Sequence, residues 1–304
     1  MTALTQIVHA LDEFFDVPNS GADPAFSRFL PAVYGAAPRP WTSWVESAFA
    51  THFNGLMLRG DETVRTVFLA AFPSEHVLDA LLDRAESGDL LFVHHPIDLK
   101  SGDPRGTWGN FFQPIADETL AALQAKRVSI YSCHAPLDYH PTLNTSGSIA
   151  RALGATVTGH FFPYGSGHAG VIASMPSTPV ELLQERLRHL FGVPYLDAAG
   201  ARTADIERLA IVAGSGDRVD EMQNAERLGA QAYVTGEIHS RIDTEYGRRK
   251  FAAVEGFAES TRMALFGVSH AASEFLVMDR EIQPWFTERF DVATVPLREE
   301  HWWR

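Results

Sequence analysis

The sequence predicts an α/β protein with mostly parallel or mixed sheets flanked by helices. Short strand-like apolar runs alternate with segments of helical period along the 304 residues. Three of these runs end in a histidine with a carboxylate nearby, and strand ends are where α/β proteins place ligands and chemistry. With 45% hydrophobic and 21% charged residues, the composition is that of an ordinary globule. A chain of this length can bury a large core, as one large domain or two ordinary ones.

The elements follow in order. Residues 3–16 read as a helix, because Leu4, Ile7, Val8, Leu11, Phe14 and Phe15 recur at helical spacing, with Thr2 as the N-cap. Residues 17–45 hold Pro18, Pro24, Pro31, Pro38 and Pro40 and read as a loop-rich insertion with one short helix near "WTSWVESAF". "GLMLRG" and "VRTVFLAAF" read as strands, and "SEHVLDALLDRAESG" as a helix capped by Ser74. "DLLFVHHP" and "VSIYSCHAPLD" are strands running into loops, separated by the helix "DETLAALQAKR". "SGSIARALG" is helical, "ATVTGHFFPY" and "GSGHAGVIASM" are strand-like, and "TPVELLQERLRHLFG" is a helix with Thr178 as cap and Pro179 at its first position. Then come the strand "RLAIVAGSGD", the helix "DEMQNAERLG", and strands in "AQAYVTGEI" and "AESTRMALFGVSH". A long helix over "AASEFLVMDREIQPWFTERF" should kink near Pro284, before a last strand "DVATVPL". Loop-like composition near 139–148 and 197–206 marks the best candidate domain boundaries.

Charge and cysteine content exclude several classes. The formal net charge of -13, from 38 acidic and 25 basic residues, argues against a nucleic-acid binder, which needs clustered Lys and Arg. A small anionic substrate stays possible, because bound cations supply local positive charge. The single cysteine, Cys133, allows neither an internal disulfide nor a thiolate zinc site. "MTALTQIVHALDEFFDV" lacks the pattern of a signal peptide, and no apolar run approaches the roughly 20 residues of a membrane span. A cytoplasmic protein without membrane association is the expectation.

The three His/carboxylate pieces carry the chemistry. His94-His95-Pro96 follows "DLLFV", and two adjacent imidazoles at a strand end can serve neighbouring metal ions; alone, the pair more often only closes a strand. His134 and Asp138 follow "RVSIYSC", where Pro136 argues against a regular helix and Asp138 can be either ligand or cap. His270 and Glu274 follow "MALFGVS" and share one helix face at i, i+4. Together they offer nitrogen and carboxylate oxygen without thiolate, which suits Zn, Fe, Mn, Ni or Co. Two such ions make a hydrolytic site in which an activated water attacks a polarised substrate. Among other features, "AGSGDR" reads as a tight turn more readily than an anion site, and His168 in "YGSGHAG" equally as a residue that reaches a ligand or as part of a hairpin turn. Glu237 or His239 in "TGEIHS" are candidates to orient ligands, and Cys133 is a small buried residue. The aromatic tail "HWW" should pack on a neighbouring helix or subunit.

The order of these pieces resembles the NIF-three-like family, whose bacterial members are often called GTP cyclohydrolase I type 2 homologues. The resemblance runs from "IVHALDEFF" through "FNGLMLRG", "LLFVHHP", "YSCHAPLD", "AGSGD" and "AYVTGEI" to "GVSHAASE". It implies two similar α/β lobes with a dinuclear metal site in the cleft between them. His95 and Asp138 would hold one metal, His94 and His270 the other, and Glu274 would bridge both. His134 would lie beside them as a catalytic acid/base or as a group that orients the ligands. The lobes are expected at 1–138 plus 235–304, and at 139–234. A small, anionic or nucleotide-like substrate and self-association into a dimer or a homohexamer are implied as well. The family's usual Thr-Asn-Leu-Asp after the central histidine is replaced here by Ala135-Pro136-Leu137-Asp138, and His168 stands where an Arg is common. These departures keep open a second reading, a metal-binding regulatory or scaffold protein without turnover.

Overall fold

The computed structural model describes residues 1–35, 40–202 and 205–304. Pro38 of the Pro-rich stretch and residues 203–204 of the polar stretch 197–206 lie outside the described residues. The chain is α/β with mixed sheets, in two compact units. The first unit comprises residues 1–99, 112–140 and 278–300; the second comprises 100–111, 141–277 and 301–304. Residues 235–277, expected in the first lobe, therefore belong to the second. The physical reason is sheet pairing: Ala232–Glu237 lies between Ile206–Ser215 and Ala264–Gly267, parallel to both.

Among the described residues, the first unit is built on a five-stranded sheet in the order Ala293–Pro296, Thr66–Ala70, Leu90–Val93, Ser129–Ser132, Gly55–Leu58. The first three pairings are parallel and the last antiparallel. Strand alternation sorts its side chains. Leu91 and Val93 enter a core with Phe26, Leu30, Leu78, Leu81 and Ile130. Phe92 turns the other way, onto Phe15, Tyr131 and Phe286. The helix Glu75–Arg84 starts at Ser74 as expected, with the hydroxyl accepting from the Val77 N–H at 3.1 Å and donating to the Glu299 carboxylate at 3.0 Å. Ser74→Ala removes both bonds in a buried setting, and urea denaturation is expected to show a loss of about 1–2 kcal/mol.

The second unit is built on a six-stranded sheet in the order Asp197–Gly200, Ala264–Gly267, Ala232–Glu237, Ile206–Ser215, Gly167–Thr178, Thr156–Tyr164. The period of two is plain in its middle strands. Leu209, Ile211, Val234 and Phe266 face one core, beneath the helices Thr145–Ala152, Val180–Phe191 and His270–Val277. Ala210, Val212, Tyr233 and Leu265 face a second core, shared with Met222 of Val219–Arg227 and Val254 of Glu245–Ala258.

Several local expectations are corrected. Thr2 does not cap the first helix; Thr2–Ala3 pairs with Thr63–Val64, and Leu4–Phe14 begins without a side-chain cap. Within the Pro-rich stretch, Phe26–Tyr34 is helical across Pro31. Helix Val180–Phe191 starts one residue later than expected, with Pro179 as N-cap and the Thr178 hydroxyl donating to the Pro176 carbonyl. The long helix near Pro284 is two α segments, His270–Val277 and Gln283–Arg289, joined by a π turn at Met278–Ile282. That turn takes up the backbone mismatch that proline imposes. The helix Glu245–Ala258, capped by Thr244 through the Gly247 N–H at 3.0 Å, has no counterpart in the sequence reading.

Candidate metal centre

In the first unit, adjacent parallel strands bring the predicted residues together. Leu90–Val93 and Ser129–Ser132 run side by side, so the residues that follow them emerge at one sheet edge. The chain beyond each strand is still held by the sheet, since the Cys133 N–H donates to the Val93 carbonyl and the His95 N–H to the Ala71 carbonyl. His94, His95 and His134 form a triangle of imidazoles with ring centroids 4.7–4.8 Å apart. All three are buried, and each offers a ring nitrogen within 4.8 Å of the others'.

Asp138 completes this group through a local surprise. Ala135–Asp138 is a single helical turn starting at His134, because Pro136 sits in the first turn, where a missing N–H costs nothing. His134 and Asp138 are therefore i, i+4 neighbours after all. The two carboxylate oxygens of Asp138 lie 3.4 Å from His94 Nε2 and 3.8 Å from His134 Nε2.

The donor chemistry of this group fits a cation. His94 Nδ1 lies 2.8 Å from the Cys133 carbonyl, and His134 Nδ1 lies 2.9 Å from Asp23 Oδ2. Both acceptors call for a proton on Nδ1, which leaves lone pairs on the two Nε2 atoms. Those lone pairs face the Asp138 carboxylate, an acceptor, so the arrangement is favourable only with positive charge among them. Asp23 is held ionised: burial opposes its charge, but His134 and the N–H groups of Phe26 and Ala135 keep its carboxyl far below the usual range.

In the second unit, the strands ending at Ser215, Glu237 and Gly267 are parallel neighbours, and their ends gather another set. His270 and Glu274 sit on the first turns of His270–Val277, with Nε2 3.0 Å from Oε1. Glu237 approaches the other ring nitrogen at 3.5 Å. Burial disfavours a charged His270, yet Glu274 and Glu237 raise its pKa to about 10. Ser269, just before it, is held at φ 83°, a left-handed conformation costly for a non-glycine residue, and its hydroxyl donates to the Trp302 carbonyl. Gly214, at φ 74°, passes so near that a Cβ there would lie 2.3 Å from Glu274 Oε1 and 3.0 Å from His270 Nε2.

The remaining candidates sort clearly. The N–H groups of Gly214 and Gly216 are taken by the hydroxyls of Ser273 and Thr235, so "AGSGDR" is a braced turn. His239 lies between Asp197, at 2.9 Å, and Glu255, at 2.8 Å, while Glu237 is the residue of that motif beside His270. His168 is exposed next to a two-residue hairpin turn. Cys133 is fully buried, and burial followed by the nearby Asp138 charge pushes its thiol well above the ordinary range. Trp302 packs on Phe275 and Trp303 stacks on Tyr195, which places the aromatic tail on its own unit.

Residues 45–298 match the model of the family described as Duf34/NIF3 (NGG1p interacting factor 3). The chain belongs to the Duf34/NIF3 family. Relatives in it include a "GTP cyclohydrolase 1 type 2 homolog" of Deinococcus radiodurans, 30% identical over 76% of this chain and 82% of that one. Another of the same name, from Escherichia coli K12, is 31% identical over 61% of this chain and 69% of its own length. Among solved structures, the protein ybgI, of unknown function, matches with TM-score 0.64 and 20% identity over 99% of this chain and 100% of that one. Reduced HcgD from Methanocaldococcus jannaschii matches with TM-score 0.62 and 15% identity over 98% of each chain. At such identities these structures speak for the fold.

Within this Duf34/NIF3 member, sequence reasoning missed Asp23, which pairs with His134. It lies 111 positions from its partner His134, inside a stretch that reads as loop. Its only local signal is an Asp ahead of a helix, which any capping residue would give. Among the described residues, no helix is long and apolar enough to cross a membrane.

Proposed function

We propose that this chain is a metal-dependent hydrolase of a small, anionic or nucleotide-like substrate, working with two divalent ions. His95 and Asp138 would hold one ion and His94 and His270 the other, with Glu274 shared between them, as the family resemblance implies. The observation that carries this reading is the triangle of buried imidazoles, two of which, His94 and His134, set Nε2 3.4 and 3.8 Å from the Asp138 carboxylate. When bound, divalent ions polarise a carbonyl or phosphoryl oxygen and make water a nucleophile at neutral pH.

The chain's own residues supply the rest. His134 holds or moves a proton at Nε2, with its ring oriented by Asp23 through Nδ1. Glu237 orients His270 through Nδ1. The naming of the relatives as cyclohydrolase homologues agrees with hydrolysis of a cyclic amide or a nucleotide. Self-association into a dimer or a hexamer belongs to the same proposal, and light scattering on the purified protein measures it.

The test is turnover across a panel of phosphate esters, nucleotides and cyclic amides, with and without chelator. Turnover that chelator removes and zinc or manganese restores supports the hydrolase. A flat panel with fully loaded metal sinks it, and favours a metal-binding regulatory or scaffold protein. That second reading draws on Ala135 and Pro136, buried apolar groups beside Asp138 where the family resemblance leads one to expect a hydroxyl and an amide.

Metal binding should also depend on pH with a definite sign. A raised His270 pKa means the metal-free ion pair is fully formed below about pH 6.5 and is lost as pH rises through about 10. A metal must displace that proton at neutral pH, so zinc affinity should rise with pH, by up to about tenfold per unit for each proton released. Calorimetric titration in buffers of different ionisation enthalpy counts the protons. Release of none would contradict His270 as a ligand.

A further inference from the structure

We propose that Asp23 is a positioning residue that locks His134 with its proton on Nδ1, so that the Nε2 lone pair faces Asp138 and the His94–His95 pair. The inference rests on the metal-dependent reading above and extends it to a residue outside the matched segment 45–298.

The two oxygens of Asp23 do different jobs. Oδ1 accepts the N–H groups of Ala25 and Phe26, both at 2.9 Å, which starts the helix Phe26–Tyr34. A serine or asparagine would do as much. Oδ2 points away from that helix and accepts from His134 Nδ1 at 2.9 Å and from the Ala135 N–H at 3.1 Å. The Asn54 side chain binds the same segment from the other side, accepting the His134 N–H at 2.7 Å and reaching Asp23 Oδ2 at 3.4 Å. His134 is thereby fixed by backbone and ring together, in a conformation, φ -99° and ψ -97°, that is neither helix nor strand.

Packing limits the ring further. The Phe26 ring stands nearly perpendicular to those of His134, at 4.6 Å, and His95, at 5.4 Å between ring centroids. Asp23 is 2% exposed and Phe26 fully buried, so neither is a surface cap. A carboxylate behind an imidazole, with the other nitrogen turned to the reacting groups, is how proteins set both tautomer and direction. The Pro-rich segment thus builds the wall behind His134.

The test uses the full chain labelled with 15N-histidine, and zinc as the probe. In the wild type, His134 should show a protonated Nδ1 and a proton-free Nε2. In Asp23→Asn, Oδ1 keeps the helix bonds and the amide NH2 takes the place of Oδ2. A donor then faces Nδ1, so the proton should move to Nε2, and zinc affinity should fall at least about tenfold. Asp23→Ser, which keeps a helix cap but has no second oxygen, should lose the wild-type tautomer too. A wild-type His134 protonated only at Nε2 overturns the proposal, and this measurement stands even if neither variant folds. A folded Asp23→Asn protein with wild-type tautomer or wild-type zinc affinity also overturns it, leaving Asp23 as a helix cap. Failure of the wild type to bind zinc would instead remove the metal-dependent reading, while the tautomer in zinc-free protein still decides the pairing.

Discussion

Purified His95→Ala/Asp138→Ala protein is expected to carry less than about a tenth of the zinc bound by the wild type, since outer groups alone are worth 10–100-fold at metal sites. Elemental analysis after dialysis against trace zinc checks this. Both side chains are buried, His95 stacked on Phe72 at 4.1 Å between centroids and Asp138 facing two imidazoles. Their removal takes away one imidazole and the carboxylate that lies 3.4 Å from His94 Nε2 and 3.8 Å from His134 Nε2. Deleting the buried His95 ring leaves a cavity against Phe72, so the thermal midpoint without metal should fall, while the stabilisation that added zinc confers should vanish. Unchanged zinc content would show that the site is assigned wrongly.

Gly214→Ala is the second large effect. The new Cβ would fall 2.3 Å from Glu274 Oε1 and 3.0 Å from His270 Nε2, and the backbone there holds φ 74°. The neighbour that must yield is not a free end: Glu274 is buried on a helix and paired with His270. We expect a stability loss of more than about 1 kcal/mol from backbone strain alone, together with zinc affinity reduced by at least about tenfold through displacement of Glu274. Denaturant unfolding and zinc titration read the two effects separately. A variant of wild-type stability and affinity would mean that the Gly214 turn moves freely, against its bonds to Ser273 and Thr235.

Much of this was legible in the chain because it is local. Apolar runs mark the strands, and a histidine at the end of each run needs no tertiary information to be noticed. His270 and Glu274 depend only on helical spacing, and the structure has them 3.0 Å apart on one helix. Ser74 was readable as a cap for the same reason. The errors were places where two local rules compete. Pro136 argues against helix in general but is harmless in a first turn, so the turn Ala135–Asp138 was missed. Pro284 predicts a kink, and the chain answers with a π turn just before it. Glu245–Ala258 was overlooked although Thr244 offered a capping signal.

By itself, the sequence determined which side chains are candidates for the chemistry, nitrogen and carboxylate without thiolate, and that they stand at strand ends in an α/β frame. Only the tertiary structure decided what surrounds them. Pairing placed residues 235–277 with the second unit, and strand adjacency brought Gly214, Glu237 and His270 to one sheet edge. It also put Asp23 behind His134 across 111 positions. Spacing rules reach one helical turn or one strand repeat, whereas these contacts depend on which strands pair and which helix covers them. That choice is made by burial of the whole core, to which no single motif testifies.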